Sequence, residues 1–155
     1  MEITEIRVKL MDSGGDKLHA FCTLTLENKF VIRDLKIIGG RQGAFVAMPS
    51  RKLTDRCRRC GSKNHLRARY CNECGSRLDP NRALRDEKGR AKLHMDIAHP
   101  INSICREEMQ NQILKAFEAE KDRARLPGYR PVDLGGDYDF EEITYPESTD
   151  ASSQA

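Results

Sequence analysis

The sequence predicts an α+β fold: a small antiparallel β-sheet with a C-terminal helix, a four-cysteine zinc ribbon inserted at a hairpin tip, and an acidic, disordered tail. Three observations predict it. Apolar and polar residues alternate in successive short runs up to Met48, and an apolar residue recurs at every fourth position from Cys105 to Phe117. Between those regions stand two Cys-x-x-Cys pairs. Period two belongs to half-buried strands and a period near 3.6 to an amphipathic helix, while repeated Cys-x-x-Cys turns are a metal-ligand pattern.

The first strand carries Ile6, Val8 and Leu10 on one face and Glu5, Arg7 and Lys9 on the other. A turn cluster at 12–16 ends it, and residues 17–26 resume the alternation with Leu18, Ala20, Cys22, Leu24 and Leu26. Glu27-Asn28 makes a short turn into a β-branched third strand, 30–38, which Gly39-Gly40 is expected to break. After Gly43 the run 44–48 reads as a fourth strand. Consecutive hairpins of this kind form an antiparallel meander.

After Pro49-Ser50 the composition changes abruptly. Cys57, Cys60, Cys71 and Cys74 form two Cys-x-x-Cys-Gly turns separated by ten residues. Zinc takes four thiolates in a tetrahedron, and each turn offers two. Gly61 and Gly75 allow the left-handed backbone that wraps a metal. Tyr70 and Leu66 are about all the apolar bulk available for a local core, so one structural zinc ion must supply the missing stability. Two disulfides, or four unligated thiols, are the alternatives; nothing in the chain points to an oxidising compartment. Cys22 and Cys105 fall in the patterned segments and read as small buried residues. His65 is a spare donor beside a complete set.

Residues 82–90 read as a short helix or a flexible return, and 92–97 as a short strand partnering 45–50, which places the cysteines at the tip of a hairpin. Asn102 or Ser103 caps a helix with Glu107 and Glu108 near its positive end. Cys105, Met109, Ile113 and Phe117 form its packing stripe, and it must end by Pro127-Gly128. Beyond Tyr129 the chain has too little apolar content to fold alone.

Net charge is +3 over 155 residues, but it is sharply divided. Residues 51–92 hold fourteen basic and five acidic side chains, a local net of +9, whereas 133–155 hold seven acids and no base. Such asymmetry reads as a polyanion-facing patch with a solvated acidic tail. Arg51, Lys52, Arg56, Arg58, Arg59, Lys63, Arg67, Arg69 and Arg77 are the candidate nucleic-acid contacts. Lys and Arg bind phosphate backbones by releasing counterions. A docking surface for an acidic protein, or a merely solvated loop, is the alternative. With Tyr70 the only aromatic among the charges, backbone contact fits better than base stacking.

Only 38% of residues are hydrophobic and mean hydropathy is −0.68, so the core is modest and oligomer burial is attractive. No apolar run approaches the ~20 residues of a membrane span and the N-terminus lacks a signal pattern, so a soluble, cytoplasmic protein is expected. His99 has no nucleophile beside it by motif. The 39–43 glycine run lacks the Lys-Ser/Thr ending of a phosphate loop. A binder is expected, not an enzyme.

EITEIRVKL at the start, FVIRDLKIIGGRQGAFVAMPSRK and DIAHPINSICREEMQ resemble the SpoVG family, the bacterial stage V sporulation (septation) protein G. The resemblance covers about residues 1–52 and 93–120. It implies a small antiparallel sheet with a C-terminal helix, dimers, and DNA and RNA binding by a regulator of septation or sporulation. In the family the two motifs are joined by a short hairpin, whereas here about forty residues bearing the cysteines intervene. The expected organisation is a discontinuous domain, 1–52 and 93–126, an inserted ribbon, 53–92, and a tail, 127–155. The reading is a dimeric nucleic-acid-binding regulator with a basic zinc-ribbon arm. Its rival is an adaptor whose ribbon docks onto a protein machine such as RNA polymerase or the ribosome.

Overall fold

The structure, a computed structural model, describes residues 1–12 and 17–135. Four strands, β1 (Ile3–Leu10), β2 (Leu18–Leu26), β3 (Phe30–Gly40) and β4 (Gly43–Ala47), form an antiparallel meander in the order β1-β2-β3-β4. Val8 faces Cys22, Cys22 faces Leu35, and Ile37 faces Val46, so the inward positions line up across the sheet. Helix α1 (Ser103–Ala124) lies over that face and touches both outer strands. Met109, Ile113 and Phe117 close the core over Val8, Leu24, Leu35 and Ile37. Gln110 Oε1 accepts the Val46 amide at 3.3 Å, tying the helix to β4.

The period-two reading holds wherever a strand has one wet face. It slips at Asp34, whose φ of 62° places it in the left-handed region, at a register shift between β2 and β3. That bulge lets Ile32 and Leu35, three residues apart, pack on the same core. At the β2–β3 turn Glu27 and Asn28 also have positive φ, 50° and 52°, as the tight hairpin turn needs.

Gly39-Gly40 does not break β3, contrary to expectation: both pair with β4, and Arg41 and Gln42 form the turn. Gly39 leaves room for the neighbouring strand: a Cβ there would stand 2.3 Å from His19 Nε2, so a larger residue would displace the His19 ring. The fourth strand begins at Gly43 and ends before Met48, which is nonetheless buried.

The return strand is also shifted from expectation. β8 (His94–Asp96) pairs with β5 (Ser50–Lys52), which meets the expected 45–50 only at Ser50, and Leu53 N donates to Leu93 O at 2.8 Å one step further out. This two-stranded stem carries everything between Leu53 and Leu93 at its end. Residues 82–90 form turns, not a helix: Asp86 accepts the Lys88 and Arg90 amides and pairs with the Arg90 guanidinium.

Asn102 is the helix cap, its Oδ1 accepting the Cys105 amide at 2.8 Å. Glu107 and Glu108 lie beyond the first turn, so they add less to the positive end than expected. After the helix, residues 127–135, assigned above to the tail, are held against the domain. Tyr129 Oη donates to the buried Glu120 carboxylate at 2.7 Å, and Arg7 and Arg33 donate to the Asp133 and Gly135 carbonyls. Leu134 is 6% exposed. A single leucine and two guanidinium–carbonyl bonds anchor a strip whose composition alone promises no structure. The remaining tail acids, Asp137, Asp139, Glu141, Glu142, Glu147 and Asp150, lie outside the described residues.

Ile113 has no exposed surface and sits at the centre of the helix–sheet contact. Ile113→Ala is therefore expected to cost about 2–5 kcal/mol of stability, read as a shifted denaturation midpoint. A change below about 1 kcal/mol would place the helix off the sheet.

Candidate metal centre and basic arm

Each cysteine pair closes a miniature hairpin. β6 (Thr54–Arg56) and β7 (Lys63–His65) flank the first, and a Tyr70–Arg77 bridge flanks the second. The two turns repeat one pattern of hydrogen bonds. Cys57 N donates to Ser62 O and Gly61 N to Cys57 O, both at 2.8 Å; Cys71 N donates to Ser76 O at 2.8 Å and Gly75 N to Cys71 O at 3.0 Å. Gly61 and Gly75 sit at φ 76° and 71°, so the expected left-handed glycines are in place.

These turns bring the Sγ atoms of Cys57, Cys60, Cys71 and Cys74 within 4.8 Å of one another. Cys57 and Cys74 are 3.8 Å apart, and Cys60 and Cys71 3.5 Å. A tetrahedron with Zn–S bonds of about 2.3 Å has edges of about 3.8 Å, whereas a disulfide holds its sulfurs at about 2.0 Å. All four thiols are free, so the donor set fits a tetrahedral thiolate-bound ion.

The sulfurs are prepared for metal. The Ser76 hydroxyl lies 3.3 Å from Cys57 Sγ and 3.1 Å from Cys74 Sγ, and Asn64 Nδ2 donates to Cys71 Sγ at 3.4 Å. Ser76, then the backbone amides of Cys60 and Arg59, hold the Cys57 thiol down at about 6. The Cys74 amide, with Asn64, lowers Cys71 against the effect of burial. Cys60 lies above the ordinary thiol range: Ser62 pulls it down, but burial and the facing Cys71 and Cys74 sulfurs outweigh that pull. Thiols crowded at one site cannot all ionise without a cation between them, and a divalent ion resolves that conflict.

Asn64 and Ser76 are functional residues that residue-type reading missed. Asn64 is buried, and its Oδ1 also accepts the Asn72 amide, linking the two turns. The signal was present: Cys-x-x-Cys-Gly-Ser occurs twice, and the second Ser supplies the hydroxyl between two sulfurs. Cys22 and Cys105 stand apart from the site. Cys22 is in the sheet core, where burial pushes its thiol up to about 12, and Cys105 packs beside Met109. His65 is not in the cluster; its Nδ1 accepts the Arg67 amide at 3.0 Å. His99 is exposed, with Nδ1 near the Pro100 carbonyl.

Tyr70 is not part of a local core. It is 62% exposed, and the arm packs instead on Leu78, Ala68 and the cysteines themselves, with Leu66 only half-buried. The reason is space: four sulfurs and Leu78 already fill the interior between two turns this short.

The arginines divide into two groups. Arg82 is structural. Its guanidinium pairs with Asp55 at 3.0 Å and donates to the His65 and Asp79 carbonyls, which joins β6, β7 and the 79–81 turn. Arg90 is taken up by Asp86. The nine sequence-predicted contacts, Arg51 to Arg77, are all exposed, and among the described residues none of them forms an ion pair. Asp55, the nearest acid in sequence to the first turn, is already committed to Arg82. A groove of about 310 Å³ between the first turn and residues 76–79 is lined by Arg56, Arg58, Arg59, Arg77 and Arg82. His65 shows the same field. Burial first, then the positive charges of Lys52, His94, Arg67 and Arg82, push its imidazole below the ordinary histidine range.

Among the described residues no helix is long and apolar enough to cross a membrane. The SpoVG family model matches residues 1–119. Relatives described as septation protein SpoVG share this sequence at moderate identity. That of Agathobacter rectalis is 33% identical over 120 residues, 77% of this chain and 95% of the relative. That of Clostridium perfringens is 34% identical over 121 residues, 78% of this chain and 93% of the relative. A Thermoanaerobacter relative is 34% identical over 123 residues, 79% and 94% respectively.

Proposed function

Because this chain belongs to the SpoVG family, we propose that it is a cytoplasmic, dimeric regulator that binds DNA or RNA through a zinc-held basic arm. As a member of that family it is not an enzyme. One observation carries the reading: nine basic side chains on the arm and its stem are exposed without a carboxylate partner, while two of the arm's five acids, Asp55 and Asp86, pair with Arg82 and Arg90. Unneutralised guanidinium groups on a rigid support are what phosphate contact requires. Cys57, Cys60, Cys71 and Cys74 hold one structural zinc ion, which keeps that support folded.

The dimer reading rests on the apolar surface at the stem and helix start. Ile97, Ile101 and Ile104 are 67%, 93% and 70% exposed, and a second copy of the chain offers the same surface in return. Regulation of septation or sporulation follows from the family alone.

The test is fluorescence anisotropy of short labelled oligonucleotides with the zinc-loaded full chain. Arg58→Ala, Arg59→Ala and Arg77→Ala combined should weaken binding about 10- to 100-fold for single strand and duplex alike. Unchanged affinity would favour the adaptor reading, in which the arm docks onto a protein.

A further inference from the structure

Tyr70 is the arm's one aromatic side chain, and the arm exposes it. The residue is 62% exposed, and the interior it could have filled is very small. The backbone beneath it is fixed on both sides. Leu78 N donates to Arg69 O at 2.8 Å, Cys71 N donates to Ser76 O at 2.8 Å, and Tyr70 bridges Arg77 between them. The next residue, Cys71, belongs to the metal cluster. Directly opposed residues in an antiparallel pair project from the same face, so Tyr70 and Arg77 point the same way. Arg77 also lines the arginine groove, so the ring adjoins the surface read above as phosphate-binding. Three other aromatic rings, those of Phe21, Phe117 and Tyr129, have a Lys or Arg set over them; among the described residues Tyr70 has none, which leaves its face open.

We propose that Tyr70 is a stacking platform for one unpaired base, with Arg77 and the adjoining groove holding the phosphate next to it. The inference rests on the nucleic-acid reading and deepens it: the preferred ligand has at least one unpaired nucleotide. Base–aromatic stacking tolerates any base because every base has a π-face. It favours a ring carried on a fixed backbone, and the hydrogen bonds on either side of Tyr70 hold that backbone. A fully paired duplex hides its base faces and can reach only the arginines.

The experiment compares zinc-loaded full-length protein with Tyr70→Ala and Tyr70→Phe, each checked for unchanged zinc content. The probes are a single-stranded oligonucleotide of about 12 nucleotides, an abasic strand of equal length, and a blunt duplex. Tyr70→Ala should weaken single-strand binding roughly 5- to 150-fold, the range of aromatic–base stacking, and leave abasic-strand and duplex binding unchanged. Tyr70→Phe should match wild type. Equal single-strand affinity for wild type and Tyr70→Ala, while arginine variants still lose affinity, would overturn stacking and leave the phosphate reading standing. An equal loss on base-bearing and abasic strands would also overturn it, because the ring would then serve phosphate contact or structure. No binding by wild type to any probe would remove both readings together.

Discussion

Replacing Cys57 with serine is expected to release the metal and unfold the arm while the four-stranded sheet stays folded. Cys57 is buried, its sulfur is 3.8 Å from that of Cys74, and its amide and carbonyl both hold the first turn. The arm has little else to rely on. Its apolar core is Leu78 with Ala68 and the cysteines, far less than the cluster that joins Ile113 and Phe117 to the sheet. Structural zinc contributes about 10–16 kcal/mol of apparent binding free energy in small modules, so losing one of four ligands should abolish ordered structure there. Wild type should carry one zinc per chain and Cys57→Ser close to none. Amide protection should vanish from the arm and persist in β2 and α1. Replacing Cys22 or Cys105 should leave the zinc content unchanged. Wild-type protein without zinc, with two disulfides by mass, would refute the metal centre.

The second large effect comes from removing the arm. Replacing residues 54–91 with a Gly-Asn turn should leave a folded dimer. The stem already aligns Lys52 with His94, and the Leu53–Leu93 hydrogen bond marks where a tight turn can close it. Loop length changes stability by only about 0.6 kcal/mol per doubling once the ends are held. Nucleic-acid affinity, by contrast, should fall by about 100-fold or more at low salt, since seven of the nine candidate contacts are removed and only Arg51 and Lys52 remain. Circular dichroism and sedimentation check the fold, and anisotropy checks the affinity. An unfolded product would mean that the arm is part of the core.

The legible parts of the fold were those with a repeating contrast between wet and dry faces. β1 and β2 alternate cleanly because one face packs under α1, and Met109, Ile113 and Phe117 recur by helical turns for the same reason. Where burial does not alternate, the pattern is silent. β5 and β8 are three-residue strands that are mostly exposed, so their register depends on backbone pairing that no side-chain pattern records. The glycines at 39 and 40 looked like a break because glycine usually interrupts a strand. Here Gly39 gives room to His19 from the neighbouring strand, a contact invisible along the chain.

The four-cysteine cluster was legible to the residue because ligand chemistry dictates both residue type and spacing. Its supports were less so. Asn64 and Ser76 act through hydrogen bonds to sulfur that depend on how two turns face each other. Residue type alone places Tyr70 in a core, yet Leu78 and the cysteines already fill the interior. The ordering of 129–135 follows from Tyr129 meeting Glu120 and from Arg7 and Arg33 reaching backbone carbonyls over a hundred residues away, which composition cannot reveal.

Phosphate binding by the arm, as proposed, has an electrostatic signature. Each neutralised phosphate releases counterions, so log K falls with log salt at about −0.7 per contact on single strands and −0.9 on duplex. The decisive measurement is that slope for the full chain and for the chain with 54–91 replaced, on the same oligonucleotide. With about five of the nine side chains engaged, the full chain should give a slope near −3.5 on a single strand, and the shortened chain about −1 or flatter. Parallel slopes for the two proteins would overturn phosphate binding by the arm, because its cations would then make no contact with the backbone.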